Sequence, residues 1–183
     1  MELVKSLKSS KIIKYAFIAL IGSIALAVSS KVKIPFYPVP MTMQTLVVIM
    51  IGAAFGWKLG LATVSLYLFE GIIGLPVFSG TPEKGIGLLY FTGPTMGYLI
   101  GFLVAVFLAG KFDYNKNLIT NFLKLTFATS FIYLLGMVWL GSLIGWDKPI
   151  FKLGAQPFLL AELFKILIAT LTINQIIKIR NLI

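Results

Sequence analysis

Glu162 and Lys165 stand three positions apart inside an otherwise apolar run near the end of the 183-residue chain. On a helix that spacing puts both on one face, and Lys165 falls roughly 12 Å below Pro157 at about 1.5 Å per residue. A charge so deep in an apolar helix costs several kcal/mol unless it is paired or hydrated. Lys165 can offer an ammonium to a carboxylate or carbonyl. Glu162 can accept hydrogen bonds from substrate N–H groups or hold Lys165. An amphoteric small molecule fits both, and a self-satisfied structural pair is the alternative.

Glu70 is the third charge within an apolar run, and Lys84 or Lys31 could partner it in place of a ligand. Gln44 and Thr42 follow the series Pro35, Pro38, Pro40, where an amide can bind a ligand or cap a helix. Phe36, Tyr37, Phe78, Tyr90, Phe91, Tyr98, Trp139 and Trp146 gather near one boundary, as an interfacial belt or as cavity walls. The chain has no cysteine and no histidine, which removes disulfides, thiol nucleophiles, histidine bases and the common zinc sites. No Walker sequence and no nucleophile beside a base is present, so neither ATP hydrolysis nor a cofactor is expected. A membrane-embedded lipid enzyme would want clustered carboxylates, and the six acidic residues are scattered.

These side chains need a scaffold, and composition says which. The chain is 58% hydrophobic and 12% charged. Charge-free spans at 34–57, 85–110 and 125–146 are long enough to cross roughly 30 Å of hydrocarbon as helix. The sequence therefore predicts an all-α membrane protein, a single domain over 1–183, with six transmembrane helices near 12–30, 42–55, 59–73, 94–109, 118–144 and 157–177. The basic start is read as leading into a retained first helix, with no convincing cleavage site. The proline series predicts a stiff cap with no strand, and Gly56, Trp57 and Lys58 predict a tight return. The stretch 74–93, LPVFSGTPEKGIGLLYFTG within it, is too rich in Gly and Pro for continuous helix and too apolar for a solvated loop, so it is expected to fold into a cavity.

Six spans put both termini on one side. That side receives Lys5, Lys8, Lys11, Lys14, Lys58, Lys111, Lys116, Lys124, Lys178 and Arg180, against Lys31, Lys33, Lys84, Lys148 and Lys152, and ten against five predicts cytoplasmic termini. The net charge of +10 fits membrane topology, because the lysines are spread singly between spans and not gathered with aromatics as a nucleic-acid surface. Ala19, Ser23 and Ala27 recur every four residues, a ladder that lets another helix approach closely, from this chain or from another subunit.

The segments KIPFYPVPMTMQT, YLFEGIIGLPVFSG, GPTMGYLIGF and PFLLAELFK, in this order and over most of the chain, resemble the BioY family, the biotin-binding S component of energy-coupling-factor (ECF) transporters. The resemblance implies a six-helix S component in the cell membrane that binds biotin on its outer side and works with a transmembrane T component and two ATPase subunits. It carries the family's helix 6 acid and lysine onto Glu162 and Lys165, with Gln44, Tyr98, Phe78, Glu70 and Lys84 as further ligand candidates. Ala19, Ser23 and Ala27 become candidates for docking on the T component. The loops 33–40 and 74–92 are expected to close over the ligand. The family more often has Asp at position 162, Gly at position 96 and a loop richer in glycine where TPEKG stands here. An S component for another vitamin keeps the architecture and changes only the ligand.

Overall fold

The computed structural model describes residues 2–34, 37–83, 85–114 and 117–180. Helix α1 (Glu2–Lys31) carries an apolar span at Lys11–Lys31 and leads into two short strands, β1 (Lys33–Ile34) and β2 (Met41–Thr42). They pair antiparallel, Lys33 opposite Thr42 and Ile34 opposite Met41. The cap expected to hold no strand is thus closed by a small ribbon. Pro38 and Pro40 fall within its turn, where no ladder donor is required, and the residues on either side remain free to pair.

The stretch α2 (Gln44–Ile72) is helical except at Gly56, whose φ of 72° and ψ of 172° break the hydrogen-bond ladder. Glycine adopts that conformation without Cβ strain. The chain reverses there, and the arms 44–55 and 57–72 pack against each other. A Cβ on Gly60 would sit 3.5 Å from the Cα of Gly52. The two arms are the second and third helices expected from sequence.

An irregular segment follows, with a 3₁₀ turn at Gly87–Thr92, then α3 (Met96–Lys111), α4 (Leu118–Ile144), the short α5 (Ile150–Gly154) and α6 (Leu159–Arg180). Asn117 caps α4 by accepting from the amides of Ile119 and Thr120 at 3.0 and 3.3 Å. Helices α3 and α4 cross closely because Gly101 has no Cβ, which would lie 2.6 Å from the Cα of Ile132. Counting both arms, the described residues form six long helices around a core that includes Leu26, Val64, Tyr67, Phe102 and Ile132. Ile13, Phe17, Val28, Leu123 and Leu171 stay exposed on the outer faces, as bilayer contact requires. The all-α membrane architecture is as the sequence predicts.

The small-residue ladder of α1 serves this chain. Ala19 and Ser23 are buried, Ser23 at 0% exposure, and Ala27 packs on the same core. A Cβ on neighbouring Gly22 would meet the Cγ2 of Thr63 at 2.5 Å, so this stripe is where α1 seats on the second arm of α2. Ala19 and Ser23 are therefore taken up by contacts within this chain, while Ala27 stays partly exposed. A stripe of small residues permits close approach without saying which helix approaches.

Candidate functional site

The ribbon, the irregular segment and the ends of α2, α3, α4 and α6 enclose a cavity with about 550 Å³ of empty space, mouth included. Val39, Pro40 and Met41 wall it on the ribbon side, and Phe78, Ser79 and Tyr90 on the irregular segment. Tyr98, Phe102, Tyr133 and Phe158 supply aromatic walls from α3, α4 and the entry to α6. The two loops expected to close over a ligand thus both contribute to its wall.

Lys165 reaches the cavity from α6 and is 5% exposed. Its Nζ donates to the backbone carbonyl of Thr42 at 2.6 Å, to Thr45 Oγ1 at 3.0 Å and to Glu162 Oε2 at 3.2 Å. An ammonium has three donors, and all three are engaged. Glu162, 3% exposed, holds the lysine from behind. Its Oε2 also accepts from Thr45 at 3.0 Å and from the Tyr133 hydroxyl at 2.8 Å. Glu162 does not line this cavity; it lines the cleft between α4 and α6, where Oε1 has no partner among the described residues. Of the two roles open to Glu162 from sequence, the structure supports the one of holding Lys165.

Gln44 lines the cavity, with its Nε2 donating to the Tyr67 hydroxyl at 2.6 Å and its Oε1 accepting from Thr42 at 3.2 Å. Tyr67 passes its own proton to the carbonyl of Val77 at 3.1 Å. Ser30 donates to the same carbonyl at 2.7 Å, and Lys31 to that of Phe78 at 2.9 Å. The strap 77–81 is thereby tied to α1 and α2. Phe78 is pressed onto Gly71, where a Cβ would lie 2.0 Å from the ring, and it stacks on Tyr90 with centroids 4.7 Å apart. Burial raises the Tyr90 phenol above its ordinary pKa, so it remains a donor, and it bonds the Ser79 carbonyl at 2.8 Å. Tyr98 donates to the Gly154 carbonyl at 2.7 Å and turns its ring to the cavity.

Ser79 is the exception in this wall. Its hydroxyl is buried without a partner among the described residues, although the side chain lines the cavity. A buried hydroxyl left so is a binding donor in waiting.

Lys165, Gln44, Tyr98 and Phe78 line this one cavity, and Glu162 stands one layer back. Glu70 does not join them: it accepts from Ser23 at 2.8 Å on the α1 side of α2, and Lys31 pairs with the strap instead. Lys84 and Phe36 lie outside the described residues. The aromatics divide, with Phe78, Tyr90 and Tyr98 inside while Tyr37, 92% exposed, and Trp146 face outward. Sequence reasoning missed Thr45, Ser79, Tyr133, Phe102 and Phe158. Thr45 and Ser79 sit beside quoted candidates in PVPMTMQT and LPVFSG. Tyr133 carries no linear signal, because only the packing of α4 on α6 brings it to Glu162.

Similar proteins include a probable biotin transporter BioY of Pyrococcus horikoshii, 34% identical over 139 residues covering 76% of this chain and 81% of the relative. The biotin transporter BioY of Thermotoga maritima is 32% identical over 155 residues, 84% of this chain and 90% of the relative. Biotin transporter BioY2 of Lactococcus lactis is 32% identical over 169 residues, 90% of each. The crystal structure of the S component for biotin from an ECF-type ABC transporter shares the fold, with a TM-score of 0.77 over 92% of this chain and 93% of that one at 23% identity. The BioY family model matches residues 4–181. Composition, helix order and this match across nearly the whole length agree, and the chain belongs to the BioY family.

Proposed function

We propose that this protein captures biotin in the cavity at the ribbon end of the bundle, as the S component of an ECF-type transporter. The observation that carries the reading is Lys165, a buried ammonium in the wall of a mostly apolar cavity. Few polar groups in an apolar wall is how small-molecule sites orient a ligand. Biotin offers acceptor oxygens at its carboxylate and its ureido carbonyl, and an apolar ring system between them. An acceptor oxygen on Lys165 displaces one of its three present partners, so binding is an exchange of hydrogen bonds. Ser79 supplies a further donor, and Phe78, Tyr90, Tyr98 and Phe158 enclose the apolar body. The similar proteins are named as biotin transporters, which favours this ligand over other vitamins.

With no Walker sequence of its own, the chain would draw energy from a separate T component and two ATPase subunits. The reading includes the cell membrane as location and a single substrate-binding domain over 1–183. Lys58, Lys111 and Arg180 gather at the Gly56 end, which supports cytoplasmic termini and an outward-facing cavity. The test is calorimetric titration of the purified protein in detergent with biotin, beside Lys165→Ala and competing vitamins. Tight biotin binding that the substitution weakens is expected. Equal binding by the variant removes Lys165 from the site, and preference for a different vitamin replaces the ligand.

A further inference from the structure

At the end of the bundle away from the cavity, the Gly56 break opens a second pocket of about 540 Å³, lined in part by Tyr15, Phe55, Trp57, Lys58, Ala62 and Arg180. Nothing in the proposed uptake reaction uses it. The Arg180 guanidinium folds over the break, with Nε 3.3 Å from where a Cβ on residue 56 would sit. Lys58 and Lys111 both approach the Trp57 ring, with Nζ 5.4 and 4.8 Å from its centroid. Among the described residues no acidic side chain lines the pocket. Cationic groups thus stand at its mouth, while Phe55, Leu59 and Ala62 continue the wall as apolar surface along the helices.

We infer that this pocket binds one anionic phospholipid, its phosphodiester held between Lys58 and Arg180 and an acyl chain laid along Phe55, Leu59 and Ala62. The charge is complementary to the phosphate, and the apolar wall leads from the basic mouth toward the bilayer interior, as a lipid standing in a leaflet requires. A soluble anion would satisfy only the mouth. A zwitterionic lipid brings its own cation against Lys58 and Arg180, so headgroup charge should decide affinity.

Trp57 stands in the wall and reports occupancy once the other two tryptophans are removed. The experiment uses full-length protein with Trp139→Phe and Trp146→Phe in phosphatidylcholine vesicles, doped with acyl-brominated phosphatidylglycerol or acyl-brominated phosphatidylcholine. Bromine quenches nearby indole. The glycerol lipid is expected to quench at about tenfold lower mole fraction than the choline lipid, since each basic residue adds appreciably to attraction for an anionic lipid. Adding Lys58→Gln and Arg180→Gln should abolish that preference while the thermal midpoint stays near the parent's. Equal quenching by both lipids in the parent, or a preference that survives the double substitution, overturns the inference. Loss of the preference in millimolar inorganic phosphate also overturns it, assigning the pocket to free phosphate. None of these readouts depends on biotin.

Discussion

Gln44 donates to the hydroxyl of Tyr67 at 2.6 Å, although 23 positions separate the two residues. On one straight helix they would stand about 34 Å apart. The bond therefore records the fold-back at Gly56 and ties together the outer ends of both arms. Because Tyr67 also donates to the Val77 carbonyl, the same hydroxyl links the hairpin to the strap that carries Phe78 and Ser79 into the cavity.

Tyr67→Phe keeps the ring and removes that link. It strands a Gln44 donor and the hydroxyl's share of the Val77 carbonyl inside the core, at a cost of about 1–3 kcal/mol. A lower thermal midpoint and a severalfold loss of biotin affinity are expected. A variant as stable as the parent would show that the strap is held by Ser30 and Lys31 alone.

Lys165→Ala should weaken biotin binding about a hundredfold, the size of a lost charge-assisted hydrogen bond. It should also destabilise the protein by about 3–5 kcal/mol, because Glu162 is left buried without its counter-charge. Lys165→Met combined with Glu162→Gln removes both charges, and it should recover most of the stability while binding stays weak. Recovery of both together would make the pair structural and place the ligand elsewhere.

Ser79→Ala separates binding from folding. The hydroxyl has no partner among the described residues, so its removal should leave stability unchanged or slightly raised. Biotin affinity should fall about three- to tenfold, as for one neutral hydrogen bond of about 1 kcal/mol. Calorimetry and a melting curve on the same preparation read both quantities. Unaltered affinity would mean the ligand does not reach this side of the cavity.

Glu70→Gln retains an acceptor for Ser23 and lies outside the cavity. Biotin affinity is expected within about twofold of the parent, with any loss confined to stability at about 1 kcal/mol. A collapse in affinity would return Glu70 to the ligand-binding set.

Much of this architecture is legible in the chain itself. The limits of α4 follow from a largely apolar run opened by the cap at Asn117, and the reversal at 56–58 is announced by a glycine and a lysine between two apolar runs. The importance of Lys165 follows from the cost of its depth alone. Its partners are less visible. One is the backbone carbonyl of Thr42, and a carbonyl has no residue identity to read. Another is Thr45, which matters because α2 and α6 are neighbours, a fact no linear pattern contains. The α1 ladder is ambiguous for a related reason: Ala19 and Ser23 would look the same whether the helix they admit belongs to this chain or to another.

Helix length shapes the site as well. Helix α4 has 27 residues and α3 has 16, or about 40 Å against about 24 Å. Trp57 packs on Phe107 one turn before the end of α3, and Gly110 abuts the Gly56 break, so the shortfall of α3 falls at the opposite end. The cavity is thus a crater: tall helices make its rim, and the early start of a short one, with Tyr98 and Phe102 near its top, makes the floor. Its depth is a difference in residue count, and adding one turn to the outer end of α3 would raise that floor by about 5 Å and fill the space the ligand needs.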